Sequence, residues 1–401
     1  MRNYIFYLSI CFGFFVVSCS KSETDIPDVE NPIIHVNVVG YPDASVHIDD
    51  ENKKIIVSFD EWVDLSSLKL SFTLDKDVEL TKIEETYDLR TARYLLLTVN
   101  NQTRIKYVLQ AELYVDPETR GWTPTSQFGE MPDYITVYKS PAVVQNRNAI
   151  AYLAVVDLEK SYTFKVLGSS GRKTPLTFYE EQTKKPVILI NAGFFNMTSG
   201  NSVSLIIEDS ELLATNSRSE YYSGTTYYLT CAAIGQNADG SIDLGWVYTT
   251  TNDVTYIYPN VSPNVKGEEP YAEPSLSYPE GGKRWFPKYA VGAGPVLVKK
   301  YSVCTQMGSE MLDLSDTTPR PRTAIGLTEN DKLLLVVFEG DKLSNDRVTG
   351  ITLEELATEM KQLGCNAAMN MDGGGSSCML VNGQQTIACP GRAVVSMIGI
   401  R

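Results

Sequence analysis

Histidine is almost missing from this chain: His35 and His47 are the only two in 401 residues. Everything beyond them works without imidazole, which excludes Ser-His-Asp hydrolysis, Cys-His proteolysis and histidine-based metal sites from most of the sequence. Basic runs are missing too. With 35 Lys+Arg against 49 Asp+Glu the formal net charge is -14, and a nucleic-acid partner is excluded, because phosphate backbones are bound through clustered cations. Cysteine is sparse, and no Cys-x-x-Cys pair occurs among the seven, so a thiolate zinc site is excluded as well. No Gly-Lys-Ser/Thr follows any glycine run, which removes the P-loop.

The longest apolar run is at the N-terminus. Ile5 to Val17 follows Arg2 and is too short to span a bilayer. Val16-Val17-Ser18-Cys19 resembles the lipobox at which bacterial lipoproteins are cleaved and acylated. Residues 1–19 are therefore expected to be a lipoprotein signal with lipidation at Cys19, and 20–32 a polar, acidic tether. The expected location is lipid-anchored to the cell envelope at the outer membrane, with the membrane as a partner through that anchor. Cys231, Cys304, Cys365, Cys378 and Cys389 remain; their number and spacing allow at most two disulfides, and most are expected as buried small apolar side chains.

The expected fold class is α+β: a mixed α/β domain with extensive β-sheet, preceded by a small all-β sandwich. Residues 33–115 alternate apolar and polar positions, with strands expected at Lys54 to Phe59, Leu68 to Leu74, Tyr94 to Val99 and Ile105 to Leu113. This pattern resembles immunoglobulin-like modules and carries no visible chemistry. Residues 116–133 read as linker and 134–401 as the functional domain. In the latter, Thr352-x-x-Glu355 is a capping box, and Leu353, Leu356, Ala357, Met360 and Leu363 recur with helical spacing up to Gly364. Val291 to Val298 reads as one glycine-loosened strand, and Asn382-Gly383 as a two-residue hairpin turn. Two polar insertions, roughly 198–226 and 250–284, have the length of site-forming loops or disordered excursions.

The chemistry concentrates at Asn370-Met371-Asp372-Gly373-Gly374-Gly375-Ser376-Ser377. Three adjacent glycines suit neither strand nor helix, so they signal bare backbone, the expected use being a nest of N–H groups for an anion. Asp372 falls at a strand end. Asn191-Ala192-Gly193-Phe194-Phe195 ends another strand, Arg320-Pro321-Arg322 precedes a third, and Leu333 to Phe338 runs into Glu339.

In this order, Asn191 to Phe195, Gly292 to Val298, Pro321 to Gly326, Thr349 to Leu353, Asn370 to Ser377 and Arg392 to Val395 resemble the phosphodiester glycosidase family over about residues 145–401. Two positions depart from the family pattern: Glu339-Gly340-Asp341 stands where many members have Asp-Gly-Arg, and Ala293 where glycine is frequent. The resemblance implies hydrolysis of a sugar-1-phosphodiester at the anomeric carbon, on a phosphorylated carbohydrate of the envelope or of a host, with N-acetylglucosamine as one such sugar. Asp372 and Glu339 are the candidate catalytic acids. Arg322, Arg392, Gly373, Gly374, Gly375, Ser376 and Ser377 are candidate phosphate ligands; Asn191, Gly193 and Asn370 would hold sugar hydroxyls or orient the acids. No cofactor is expected; calcium or magnesium on Asp372, Glu339 and amide oxygens is an alternative. A non-catalytic glycan-binding lipoprotein and attack at phosphorus are the rival readings.

Overall fold

The computed structural model describes residue 29 and residues 31–401 apart from 101, 102, 305, 313 and 316. The expected signal sequence, Cys19 and nearly all of the tether lie outside the described residues. What is described is mostly β-sheet with two α-helices, so the expectation of a mixed α/β domain overstates the helix.

Near the N-terminus, Ile33–Val38 pairs with Leu70–Leu74, and Ser45–Asp49, Lys54–Phe59, Thr103–Leu113, Arg93–Val99 and Val78–Leu80 form a five-stranded sheet in that order. All its pairings are antiparallel except that of Lys54–Phe59 with Thr103–Leu113. Alternate residues of these strands face inward, as period-two patterning requires, and Ile55, Val57, Leu97, Tyr107 and Leu109 make a shared core. One side chain in that core, Tyr301, comes from the far part of the chain.

The remainder is built on three antiparallel sheets. An eight-stranded sheet runs Ser302–Val303, Val296–Lys299, Cys365–Asn370, Arg322–Thr328, Lys332–Phe338, Ala151–Asp157, Ile135–Lys139, Thr123–Pro124. A five-stranded sheet is centred on Val394–Ile400 and Ile188–Asn191, and a seven-stranded sheet on Tyr289–Gly292 and Cys231–Gln236. Their apolar faces close over one core containing Ile190, Ile234, Val291, Val296, Ile325 and Met369.

The helix Leu353–Gln362 begins where the capping box placed it, with both halves of the box made between Thr352 and Glu355, a cap of about 1 kcal/mol. A second helix, Pro175–Glu181, starts at the cap Thr174 with proline in its first turn. The expected strand 291–298 is broken. Tyr289–Gly292 belongs to the seven-stranded sheet and Val296–Lys299 to the eight-stranded one, and Gly294 turns the chain between them at φ 136, a conformation that favours glycine. The two insertions also carry strands: Ile206–Glu208, Glu211–Ala214, Thr255–Tyr258 and Lys283–Arg284 build on the seven-stranded sheet.

Candidate active site

Three strand ends converge where the sheets meet. Cys365–Asn370 leads into Asp372, Ile188–Asn191 ends on Asn191, and Arg322–Thr328 starts at Arg322. The Asp372 N–H donates to Ala192 O at 2.8 Å, and the Met371 N–H to Thr323 O at 2.8 Å. These bonds fix the carboxylate-bearing residue to two neighbouring strands, so its position is set by sheet geometry rather than by a free loop.

Asn191 is fully buried. Its Nδ2 donates to the Asp372 carbonyl at 2.7 Å, while its Oδ1 accepts from Thr323 Oγ1 at 2.8 Å and Cys378 N at 3.0 Å. Of the two expected uses of Asn191, holding a sugar hydroxyl or orienting the acids, its bonds match the second: its amide locks the Asp372 main chain. Gly193 is held inside the fold. Its N–H donates to Ser396 Oγ, and a Cβ there would fall 2.7 Å from Gly292 O, so glycine is needed for strand approach. Asn370 donates from Nδ2 to Gly294 O at 2.7 Å, with its buried Oδ1 unpartnered among the described residues.

Most N–H groups of the glycine run are bonded within the protein rather than held free for an anion. The Gly374 N–H donates to Pro321 O, Ser376 N–H to Gly373 O, Ser377 N–H to Gly374 O, and Gly373 N–H to Asp372 Oδ1 at 2.9 Å. Residues 374–376 form a short 3-10 turn, and these bonds occupy the N–H groups of Gly373, Gly374, Ser376 and Ser377. Two of the glycines allow close approach. A Cβ on Gly375 would lie 2.6 Å from Arg392 Nη2; one on Gly373 would lie 3.1 Å from Pro321 O, with Arg322 Nη1 in ordinary contact at 3.8 Å. Ser377 is buried, its Oγ unpartnered among the described residues.

Two different guanidinium groups therefore flank the turn. Arg392 is exposed and donates from Nη1 to Ser376 Oγ at 3.4 Å. Arg322 is buried, donating to the carbonyls of Ser315, Thr318 and Ile351. Among the described residues no carboxylate pairs with either. Burial and the nearby Arg320 charge push Arg322 down to about 10. The Asp372 carboxyl is pushed up to about 6 by burial, which outweighs the opposing hydrogen bonds from Ser376 and Gly373 and the Arg392 charge.

Glu339 is buried with both oxygens occupied. Oε1 accepts from Ser344 N and Oγ, and Oε2 from Ala388 N at 2.9 Å. It thus fastens the segment that leads to Arg392. Among the described residues, no three His, Cys, Asp or Glu side chains are grouped to hold a metal.

One carboxylate was not singled out from the sequence. Glu310 is fully buried and accepts from Ala232 N, Trp246 Nε1 and Val296 N, each at 2.8 Å. It joins the seven-stranded sheet to the eight-stranded one beside Gly294, and burial pushes its carboxyl up to about 7. No local pattern marks it, because its donors come from three separate strands.

A family model described as phosphodiester glycosidase matches residues 184–401. More than half of the chain is covered, including every site residue described above, and the chain belongs to the phosphodiester glycosidase family. Among solved structures, the zebrafish N-acetylglucosamine-1-phosphodiester alpha-N-acetylglucosaminidase catalytic domain, auto-inhibited by its pro-peptide, is 18% identical, with 70% of this chain and 87% of that one covered at a TM-score of 0.45. A hypothetical protein from Synechocystis is 16% identical, with 82% and 69% covered and a TM-score of 0.44. No curated protein matches the chain.

Proposed function

We propose that this site hydrolyses sugar-1-phosphodiesters at the anomeric carbon, releasing the sugar and a phosphomonoester. Family membership supports the reaction class, and one observation carries the assignment of parts: Asp372 stands at a strand end beside a glycine turn against which Arg322 and Arg392 both pack. A phosphomonoester leaves readily, so the main demand is a carboxylate at the developing oxocarbenium ion and cations on the phosphate. Asp372 supplies the carboxylate, as nucleophile or as base for water. Arg392, exposed and unpaired by acid among the described residues, is the phosphate clamp, with Arg322 adding positive charge from beneath. Ser376 orients Asp372 and Arg392 together. Glu339, its oxygens occupied, positions the Arg392 segment rather than exchanging protons with substrate.

The test is a synthetic N-acetylglucosamine-1-phosphodiester incubated in ¹⁸O water. Reducing sugar carrying the label, abolished in Asp372→Asn, is the expected result. Label in the phosphate would establish attack at phosphorus instead, and no release from a panel of sugar-1-phosphodiesters would overturn the enzymatic reading in favour of glycan binding alone. We further propose that the chain acts at the cell envelope through a lipid on Cys19; metabolic incorporation of labelled palmitate, lost in Cys19→Ala, tests this separately.

A further inference from the structure

The two polar insertions are not absorbed by the chemistry at Asp372, yet they meet beside it. A cavity of about 440 Å³ is lined by Ser204, Ser217 and Glu220 from the first insertion, Lys266 from the second, and Phe194 and Ala293 from the strand-end motifs. Its volume falls within the range of about 300–1,000 Å³ usual for small-ligand sites. The cavity adjoins the proposed reaction centre through its walls. Phe194 follows Gly193 directly, and Ala192 O holds Asp372 N. Ala293 precedes Gly294, whose N–H donates to Asn370 O at 2.9 Å.

The lining has the mixed character that a sugar ring requires. Phe194 is half-buried, packs against the core and lines the cavity with apolar surface. Ser204 Oγ accepts from Phe194 N at 2.9 Å, leaving its proton to donate. Asn216, also on the wall, accepts from Leu205 N through Oδ1 and keeps a buried Nδ2 without a partner among the described residues. At the rim, Lys266 lies 4.7 Å from the Tyr222 ring centroid, and Glu220 supplies a charge of opposite sign. Buried Glu310 also lines the cavity, and one cation against two carboxylates does not select a phosphate. A partly apolar wall with hydroxyl and amide groups selects a neutral ring bearing hydroxyls.

We propose that this cavity is a specificity subsite for one neutral pyranose ring of the substrate, built by the insertions next to the Asp372 centre. The proposal rests on the carbohydrate reading above, and the experiment separates the two. Saturation-transfer NMR with the methyl glycosides of glucose, N-acetylglucosamine and mannose reads ring binding without any phosphodiester. Wild type and Asp372→Asn should both contact at least one of them. Ser217→Trp, a change at an exposed position that fills the cavity mouth, should abolish that contact, and Phe194→Ala should weaken it. With a cleaved sugar-1-phosphodiester, Ser217→Trp should raise KM about tenfold or more while kcat stays within about twofold, because lost ground-state contact appears in KM. Inhibition by inorganic phosphate should be unchanged. If no diester is cleaved but the glycoside results hold, the subsite stands and the hydrolytic reading falls. If none of the three glycosides binds wild type, or Ser217→Trp binds and turns over like wild type, the subsite is overturned whatever the hydrolytic result.

Discussion

Asn191 grips Asp372 by its main-chain carbonyl, 2.7 Å from Nδ2, and leaves the carboxylate itself to the turn beyond. Because the oxygen of the same amide receives Thr323 Oγ1 and Cys378 N, one buried side chain ties its own strand, the Arg322–Thr328 strand and the residue leading into Met379–Val381 to Asp372. Asn191→Ala orphans these partners inside the core. The expected cost is about 2–4 kcal/mol, since each buried polar group left without a partner costs about 1–3 kcal/mol. Urea unfolding at fixed pH measures it, and Asn191→Asp should be little better, because a carboxylate cannot donate to the Asp372 carbonyl.

The two raised carboxyls predict a shared pH dependence. Asp372 at about 6 and Glu310 at about 7 hold their protons more tightly folded than unfolded. The folded state therefore binds more protons between the ordinary carboxylate range and these values, and their contribution to stability falls as pH rises through that window, then levels off above about 7. Hydrolysis should run the opposite way, because Asp372 acts as the carboxylate. The acid limb of kcat/KM is expected with a midpoint near pH 6, and thermal unfolding followed across the same range reads the opposing trend. An activity limb near pH 4 would remove Asp372 from the role assigned to it.

Gly375→Ala should separate activity from stability. The added Cβ would meet Arg392 Nη2 and Cζ at 2.6 and 2.7 Å, and Arg392 is an exposed, flexible side chain that can swing away. We expect a loss of under about 1 kcal/mol in stability but a kcat/KM reduced about tenfold or more, the size of a lost charged contact. Gly374→Ala is the control. Its Cβ meets nothing within 4 Å, so its φ of 58 costs about 1 kcal/mol of strain while the arginine stays in place.

Glu310→Ala leaves the N–H groups of Ala232, Val296 and Trp246 without their acceptor. A loss of about 3 kcal/mol or more is expected, read as a lowered urea midpoint. Because Glu310 bridges two sheets, hydrogen exchange should rise at both the Cys231–Gln236 and Val296–Lys299 strands.

Cys389 packs against the cluster that holds Cys378, and the neighbouring Cys378 thiol pulls the Cys389 thiol below the usual range. Cys389 and Cys304 are half-buried, and burial pushes the Cys304 thiol up, whereas Cys231, Cys365 and Cys378 are buried. Iodoacetamide at pH 8 should therefore label Cys389 first, since thiolate fraction and access set the rate. Peptide mapping after partial labelling checks the order.

The parts legible in the sequence were those written locally. Thr352 and Glu355 make their capping box within one turn, and Asn382 and Gly383 adopt the positive φ values, 49 and 78, of a two-residue hairpin turn. Asp372 was visible because a strand pattern ended on it. The use of the glycine donors was not, because Gly374 bonds to Pro321 and the arginines reach the turn from the start of one strand and the segment before another. The break at Gly294 was hidden for a similar reason: an apolar run with glycines reads the same whether it stays in one sheet or crosses to another.

Tyr301 places its ring in the core of the N-terminal strands, and Arg90 donates to Ser302 Oγ next to it at 2.7 Å. That short segment runs on to Glu310 and the cavity wall. The N-terminal strands thus act as a buttress for a wall of the cavity. A chain shortened to begin after them would expose a phenol ring to water and release the near end of that wall, so the loss would reshape the cavity before it registered as unfolding.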